Sequence, residues 1–158
     1  MSGLKRVFTA NKRESGASLD EGKKAMSFDV YKRLCEEPYN GKGDEHFFSH
    51  ALLTMEWNIM TGSDNFFNMH VQHIQWSSDS FIYYFGTLKG NQTGDRANDP
   101  WHVYSNPKNP TIFPVLALAK YFFSHPGILT TNSKLLPGYY QYEIFLKIFH
   151  KIINDNLE

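Results

Sequence analysis

The stretch MHVQHIQWSSDSFIYYFGTL, residues 69–88, decides the fold. Its two halves, Met69–Trp76 and Phe81–Leu88, are rich in the aromatic and β-branched side chains that suit a pleated surface. The polar Ser77–Ser80 between them breaks the run, so the pattern predicts a β-hairpin. Gly90–Pro100 is too rich in Gly, Asn and Asp for anything but a loop, and Trp101–Tyr104 beyond it reads as a third short strand. The three make a small antiparallel sheet.

Outward from that sheet the period becomes helical. Upstream, the acidic start at Asp44 and the apolar positions Phe48, Leu52, Met55 and Ile59 predict a helix over Asp44–Met60, buried on most of its surface and broken by Thr61 and Gly62. Asn40–Gly43 is a turn. Before it, Ser27 caps a short helix in which Val30, Tyr31, Leu34 and Cys35 form one apolar stripe, and Pro38 ends that helix. Downstream, Pro114 suits the first position of a helix that continues over Val115–Ser124 and closes at Pro126-Gly127. From Tyr139 to Asn154 a last helix is expected, because Tyr142, Phe145, Leu146, Phe149, Ile152 and Ile153 recur at three- and four-residue spacing. The expectation is an α+β fold: a mainly helical domain with a small three-stranded antiparallel sheet. Residues 27–158 carry it, and residues 1–26, with Lys5, Arg6, Lys12, Arg13, Lys23 and Lys24 among small polar residues, read as a basic linker-like lead-in. An apolar stripe with so little polar tail after it calls for a partner surface, so a protein partner at an exposed C-terminal helix is expected.

Composition narrows the function classes. With 158 residues, one domain with a modest core is the working count. The longest apolar stretch, Ile112–Phe123, is interrupted by Pro114 and Lys120 and is too short for the roughly 20 residues of a membrane span. Sixteen Lys plus Arg balance sixteen Asp plus Glu, whereas a dedicated nucleic-acid domain usually carries a basic excess. Between Lys42 and Lys89 there is no Lys or Arg at all, so an anion site must draw on other segments or on backbone donors. The start of the chain does not have the charged-then-apolar pattern of a secretory signal, and the single Cys35 cannot form an intrachain disulfide, which makes a reducing intracellular compartment the default expectation.

Several residue types invite chemistry. His46 and His50 are four apart on a predicted helix and could face one metal with Glu45, but two His without a third ligand at a telling distance are more often ordinary helix residues; no metal and no cofactor are called for. His70 and His73, three apart on a strand, point to opposite faces. Tyr139, Tyr140 and Tyr142 could suggest a nucleophile, yet an aromatic helix start packed on a core is the better reading, since no Arg or His pair is placed to activate a hydroxyl. Cys35 lies on an apolar stripe and reads as a core residue, and no hydrolase triad is visible. Lys89 ends an apolar strand and enters the Gly-Asn-Gln-Thr-Gly loop, where an ammonium can reach a phosphate or donate a proton; Arg96 in the same loop has the same options.

The strings GKKAMSFDVYKRLCE, HALLTMEWNIMTGSDN, LKGNQTGD, WHVYSNPKNP, PVLALAKYFFSHPG and LLPGYYQYEIFLKIFHKI, in that order and spacing, resemble the catalytic core of eukaryotic Crypton-type tyrosine recombinases, relatives of phage integrases. The resemblance spans nearly the whole chain from about Ser2. It implies a mainly helical domain with a three-stranded sheet, duplex DNA as partner and a nuclear location. It also implies attack of a Tyr on a phosphodiester without a metal, two Arg residues clamping the scissile phosphate, and a hairpin Lys protonating the leaving 5′ oxygen. A dianionic transition state needs fixed positive charge and a poor alkoxide leaving group needs an acid, so this division of labour is physically sound.

Carried over, the hairpin Lys falls on Lys89. The first clamp Arg should stand in a pattern like Arg-Ser-Glu/Asp-Asn, and here the text is Gly62-Ser63-Asp64-Asn65, with Gly62 in the place of the Arg. The His-x-x-Arg element and the nucleophilic Tyr are expected after the helix holding Tyr142–Ile153, and the 158 residues reach neither. The expectation is therefore a DNA-binding protein related to DNA recombination and integration, incomplete as a catalyst when alone, with backbone contacts at Lys89, Arg96, Lys5 and Arg6. The alternative is a non-enzymatic protein-interaction module derived from a mobile-element recombinase, which the neutral net charge favours.

Overall fold

The computed structural model describes residues 26–60, 66–84, 100–129 and 133–155. Its main elements within those residues, in chain order, are α1 (Phe28–Asn40), α2 (Asp44–Ile59), β1 (Ile74–Ser77), β2 (Ser80–Tyr83), β3 (Trp101–Tyr104), α3 (Pro114–Ser124) and α4 (Gln141–Asp155). The fold is mainly helical with a small three-stranded antiparallel sheet, the α+β arrangement expected from the sequence.

Helix α2 is the centre of the molecule. Phe48, Ala51, Leu52, Leu53, Met55 and Ile59 are buried, and so are its polar residues Ser49, His50 and Thr54. Inside such a helix a hydroxyl needs an acceptor: Thr54 Oγ1 donates to the His50 carbonyl at 2.7 Å and Ser49 Oγ to the Glu45 carbonyl at 2.7 Å. Asp44 and Glu45 sit in the first turn, where the helix dipole favours negative charge. Gly43 precedes it at φ 102°, a conformation that favours glycine. Met60 ends it in the left-handed region at φ 52°. Helices α1 and α3 pack on α2 from two sides, and α4 reaches both α1 and α2.

Ser27 caps α1 as expected, its side chain accepting from the Val30 amide at 3.3 Å. Two expectations for this helix are corrected. Pro38 does not end it: the helix runs on to Asn40, because a proline in the last turn forfeits only its own missing N–H bond while its ring is buried in the core. Val30 does not belong to the buried stripe, which consists of Tyr31, Leu34, Cys35 and Pro38.

In the sheet, β2 lies in the middle, paired as Ile74↔Tyr83 and Trp76↔Phe81 with β1 and as Phe81↔Val103 and Tyr83↔Trp101 with β3. Alternation therefore puts Ile74, Trp76, Phe81, Tyr83, Trp101 and Val103 on the face that meets the helices. Phe81, Tyr83 and Val103 are buried there, whereas Trp76 on the edge strand is 61% exposed. The strand expected over Met69–Trp76 is much shorter. Val71–His73 forms a 3₁₀ turn and only Ile74–Ser77 is strand, because the chain at Met69–Val71 pairs instead with the segment around Lys134: Leu135 N–H donates to the Met69 carbonyl at 2.7 Å and Val71 N–H to the Ser133 carbonyl at 3.0 Å. The second strand is described over Ser80–Tyr83, and the rest of the expected Phe81–Leu88 strand from residue 85 on lies outside the described residues.

Helix α4 starts at Gln141 rather than Tyr139, since Tyr140 is in the left-handed region at φ 61°. Tyr139 and Tyr140 are 89% and 76% exposed, so the expected aromatic start packed on a core is not what forms. Of the apolar stripe, Ile152 is buried, Phe145, Leu146, Phe149 and Ile153 are half-buried, and Ile148 belongs to the core as well. Among the described residues no helix is long and apolar enough to cross a membrane.

Candidate nucleic-acid interface

The carried-over positions Lys89, Arg96 and Gly62, and the basic Lys5 and Arg6 of the lead-in, all lie outside the described residues. The structure does describe the anchors from which two of these stretches depart. Residues 61–65 rejoin the described chain at Phe66, and residues 85–99 join the end of β2 to the start of β3.

The 70–73 segment that follows Phe66 is tied to the end of β2. The His70 amide donates to the Tyr83 hydroxyl at 3.2 Å, and the Tyr84 amide donates to the His73 carbonyl at 3.1 Å. Tyr83 Oη also lies 3.4 Å from His73 Nδ1. His70 and His73 were expected on opposite faces, yet their ring centroids are 5.7 Å apart. The reason is the 3₁₀ turn: at three residues per turn, positions i and i+3 stack on one side, whereas on a strand they would diverge. Lys134, exposed, is bridged to His70 through the backbone and donates to Asn68 Oδ1 at 3.3 Å. The result is a patch of imidazoles, an ammonium and the exposed Gln72 at the end of the sheet from which residues 85–99 depart.

This patch can donate hydrogen bonds to an anion; it is not built for covalent attack. Burial pushes the Tyr83 phenol up to about 12, against the opposing pull of the His70 amide, so the hydroxyl stays neutral near pH 7. Replacing Tyr83 by Phe removes the acceptor of the His70 amide. It is expected to cost about 1–2 kcal/mol, measured as a lower urea midpoint at unchanged slope. On the opposite face of the sheet His102 and Tyr104 stack at 5.9 Å with 20° between their planes, and both are exposed.

The other candidates take ordinary roles. His46 Nε2 pairs with Glu37 at 3.2 Å, its ring lying where a side chain on Gly41 would collide. His50 is fully buried and donates from Nε2 to the Thr111 carbonyl at 2.7 Å. The two imidazoles thus have separate partners, and among the described residues no three His, Cys, Asp or Glu side chains are grouped to hold a metal. Cys35 is buried, and burial drives its thiol up to about 12, away from thiolate chemistry. Ser124, His125 and Asp44 come together at the end of α3, with Ser124 Oγ 2.9 Å from His125 Nδ1 and His125 Nε2 3.8 Å from Asp44. The Ser124 hydroxyl, however, donates to the Tyr121 carbonyl at 2.9 Å, so this is a helix cap and not a nucleophile facing its base.

No family model matches the chain, and no curated protein matches it.

Proximity of His70, His73 and Tyr83 was missed in the sequence because Val71 and Ile74 carry a strong strand signal. The His-x-x-His spacing was the available clue, and it points to one face only if the backbone there is helical.

Proposed function

We propose that this chain is a DNA-binding protein related to DNA recombination, with a tyrosine-recombinase-like core that holds duplex DNA by its phosphate backbone and does not cleave it alone. The observation that carries the reading is the tie between His70 and Tyr83. Gly62 stands eight residues before His70, and Lys89 six residues after Tyr83, so the tie joins the two chain segments that lead in sequence to the positions the resemblance assigns to one scissile phosphate. The mainly helical fold with one small three-stranded antiparallel sheet is in keeping with it, being the layout that the resemblance implies.

In this reading Lys89, Arg96, Lys5 and Arg6 contact phosphates, with Lys134, His70 and His73 adding donors at the base of the loop. Such contacts position a duplex without reading its sequence. Strand transfer is a different matter. With Gly62 at the clamp position and no His-x-x-Arg among the 158 residues, one Lys cannot offset the missing transition-state charge. Incubation with a nicked suicide duplex is expected to give retardation at low salt and no covalent protein–DNA adduct. An adduct resistant to denaturation contradicts the incomplete-catalyst part of the reading.

A second reading, a non-enzymatic interaction module, draws on the exposed Tyr139, Tyr140, Tyr142 and Ile144 ahead of and along the start of α4. It is favoured if no duplex binding occurs even at low salt.

A further inference from the structure

Between α2 and α4 lies a cleft of about 330 Å³ lined by Met26, Leu53, Glu56, Trp57, Phe145 and Phe149. Five of the six are apolar or aromatic, and the sixth is a carboxylic acid. One face of the Trp57 ring is stacked on Tyr31, at 4.2 Å with 7° between planes. Phe145 and Phe149 stand side by side on α4 at 5.5 Å.

We propose that this cleft binds a small quaternary ammonium ion, with the Glu56 carboxylate opposite its charge and its methyl groups against Trp57, Phe145 and Phe149. The argument is complementarity. Three aromatic rings and a single acidic group favour a cation that carries its own apolar shell, because such an ion gives up little hydration on entry and gains attraction from both the ring faces and the carboxylate. A hydrated Lys or a metal ion would need several polar partners, and among the described residues this cleft offers one. The inference is independent of the DNA reading.

Glu56 itself reports on the site. Burial alone raises its carboxyl to about 7, so it is only partly ionised near neutrality. Among the described residues no other lining side chain titrates. Among the described side chains of α4 the ionisable Tyr142, Glu143, Lys147, His150 and Lys151 are exposed, and the buried Tyr31 stacked on Trp57 is shifted upward and stays neutral. A cation that binds the ionised form must therefore bind better as pH rises.

The test is titration of the full chain with tetramethylammonium and with choline, followed by ligand-observed NMR, beside the neutral choline isostere 3,3-dimethylbutan-1-ol. With the competent fraction set by a carboxyl near 7, apparent affinity for both cations is expected to rise about tenfold from about pH 6 to about pH 8, and that of the neutral isostere to stay flat. Glu56→Gln should remove the pH dependence and weaken the cations to the level of the isostere. Equal binding of cation and isostere, a pH-independent cation affinity in the wild type, or no binding of either cation overturns the proposal. The first three measurements use the unaltered protein, so they stand whether or not the variant folds.

Discussion

Replacement of His50 by Ala is expected to lower stability by about 3–4 kcal/mol at pH 7. His50 is fully buried in α2, and its Nε2–H satisfies the Thr111 carbonyl from the turn that leads into α3. Its ring meets the edge of Tyr39 at 5.6 Å, and Tyr39 in turn receives Lys120, whose ammonium sits 4.1 Å above the ring and donates to the Tyr39 carbonyl at 3.1 Å. One imidazole thus joins α1, α2 and the entry to α3. Truncation leaves a cavity and an unpaired carbonyl together.

The same residue gives a pH signature. Burial, with the charge of Lys120 adding to it and the bond to Thr111 opposing, lowers its pKa from the ordinary 6.5 to about 4. Among the described residues Nδ1 has no partner, so a second ring proton would have no acceptor. A base that is harder to protonate when folded leaves stability complete above about pH 6.5 and removes it as pH falls towards about 4, by at most about 3 kcal/mol. Glu56 acts the other way: a carboxyl raised from 4.5 to about 7 favours folding in its protonated form, and that contribution is lost as pH rises across the same window. The two slopes oppose each other in the wild type. The readout is therefore the difference between wild type and His50→Ala in urea melts, which should shrink steadily from pH 7 to pH 4.5. A difference independent of pH contradicts the neutral buried imidazole.

The second large effect is at Leu52, fully buried at the middle of α2. Leu52→Ala is expected to cost about 3–4 kcal/mol, since α1 and α3 grip α2 from two sides and neither can collapse freely into the space. Val30→Ala, by contrast, should change stability by less than about 0.5 kcal/mol, because Val30 is exposed despite its place in the apolar run of α1. Thermal melts of the pair separate a helix gripped from two sides from one that buries a single arc.

Val30 also shows what the sequence could and could not reveal. At about 100° per residue, Tyr31, Leu34, Cys35 and Pro38 centre on one direction, and Val30 lies about 90° from it. An apolar stripe marks a helix well but not the width of the face that is covered. Strong local signals were decisive elsewhere: Ser27 as cap, Pro114 at the first position of α3, and the β-rich Trp101–Tyr104 strand form as expected. Met69–Val71 differs because its backbone partners come from around Lys134, more than sixty residues away, and pairing at that range leaves no local trace. The same long-range pairing set the 3₁₀ turn that brings His70 to His73, so the candidate patch was hidden for the same reason as the shortened strand. Glu56 carries no local signal in the sequence, because its setting depends on how α4 docks.

The central claim, that this chain holds duplex DNA through its phosphates with Lys89 among the contacts, is tested most directly by the salt dependence of binding for wild type and Lys89→Ala. Each neutralised phosphate releases counterions, so with about three to five contacts the affinity should fall by about two orders of magnitude from low to physiological salt. Lys89→Ala should flatten the logarithmic slope by about one contact and leave the thermal midpoint unchanged. Identical slopes for the two proteins, or no binding at low salt, would contradict the account.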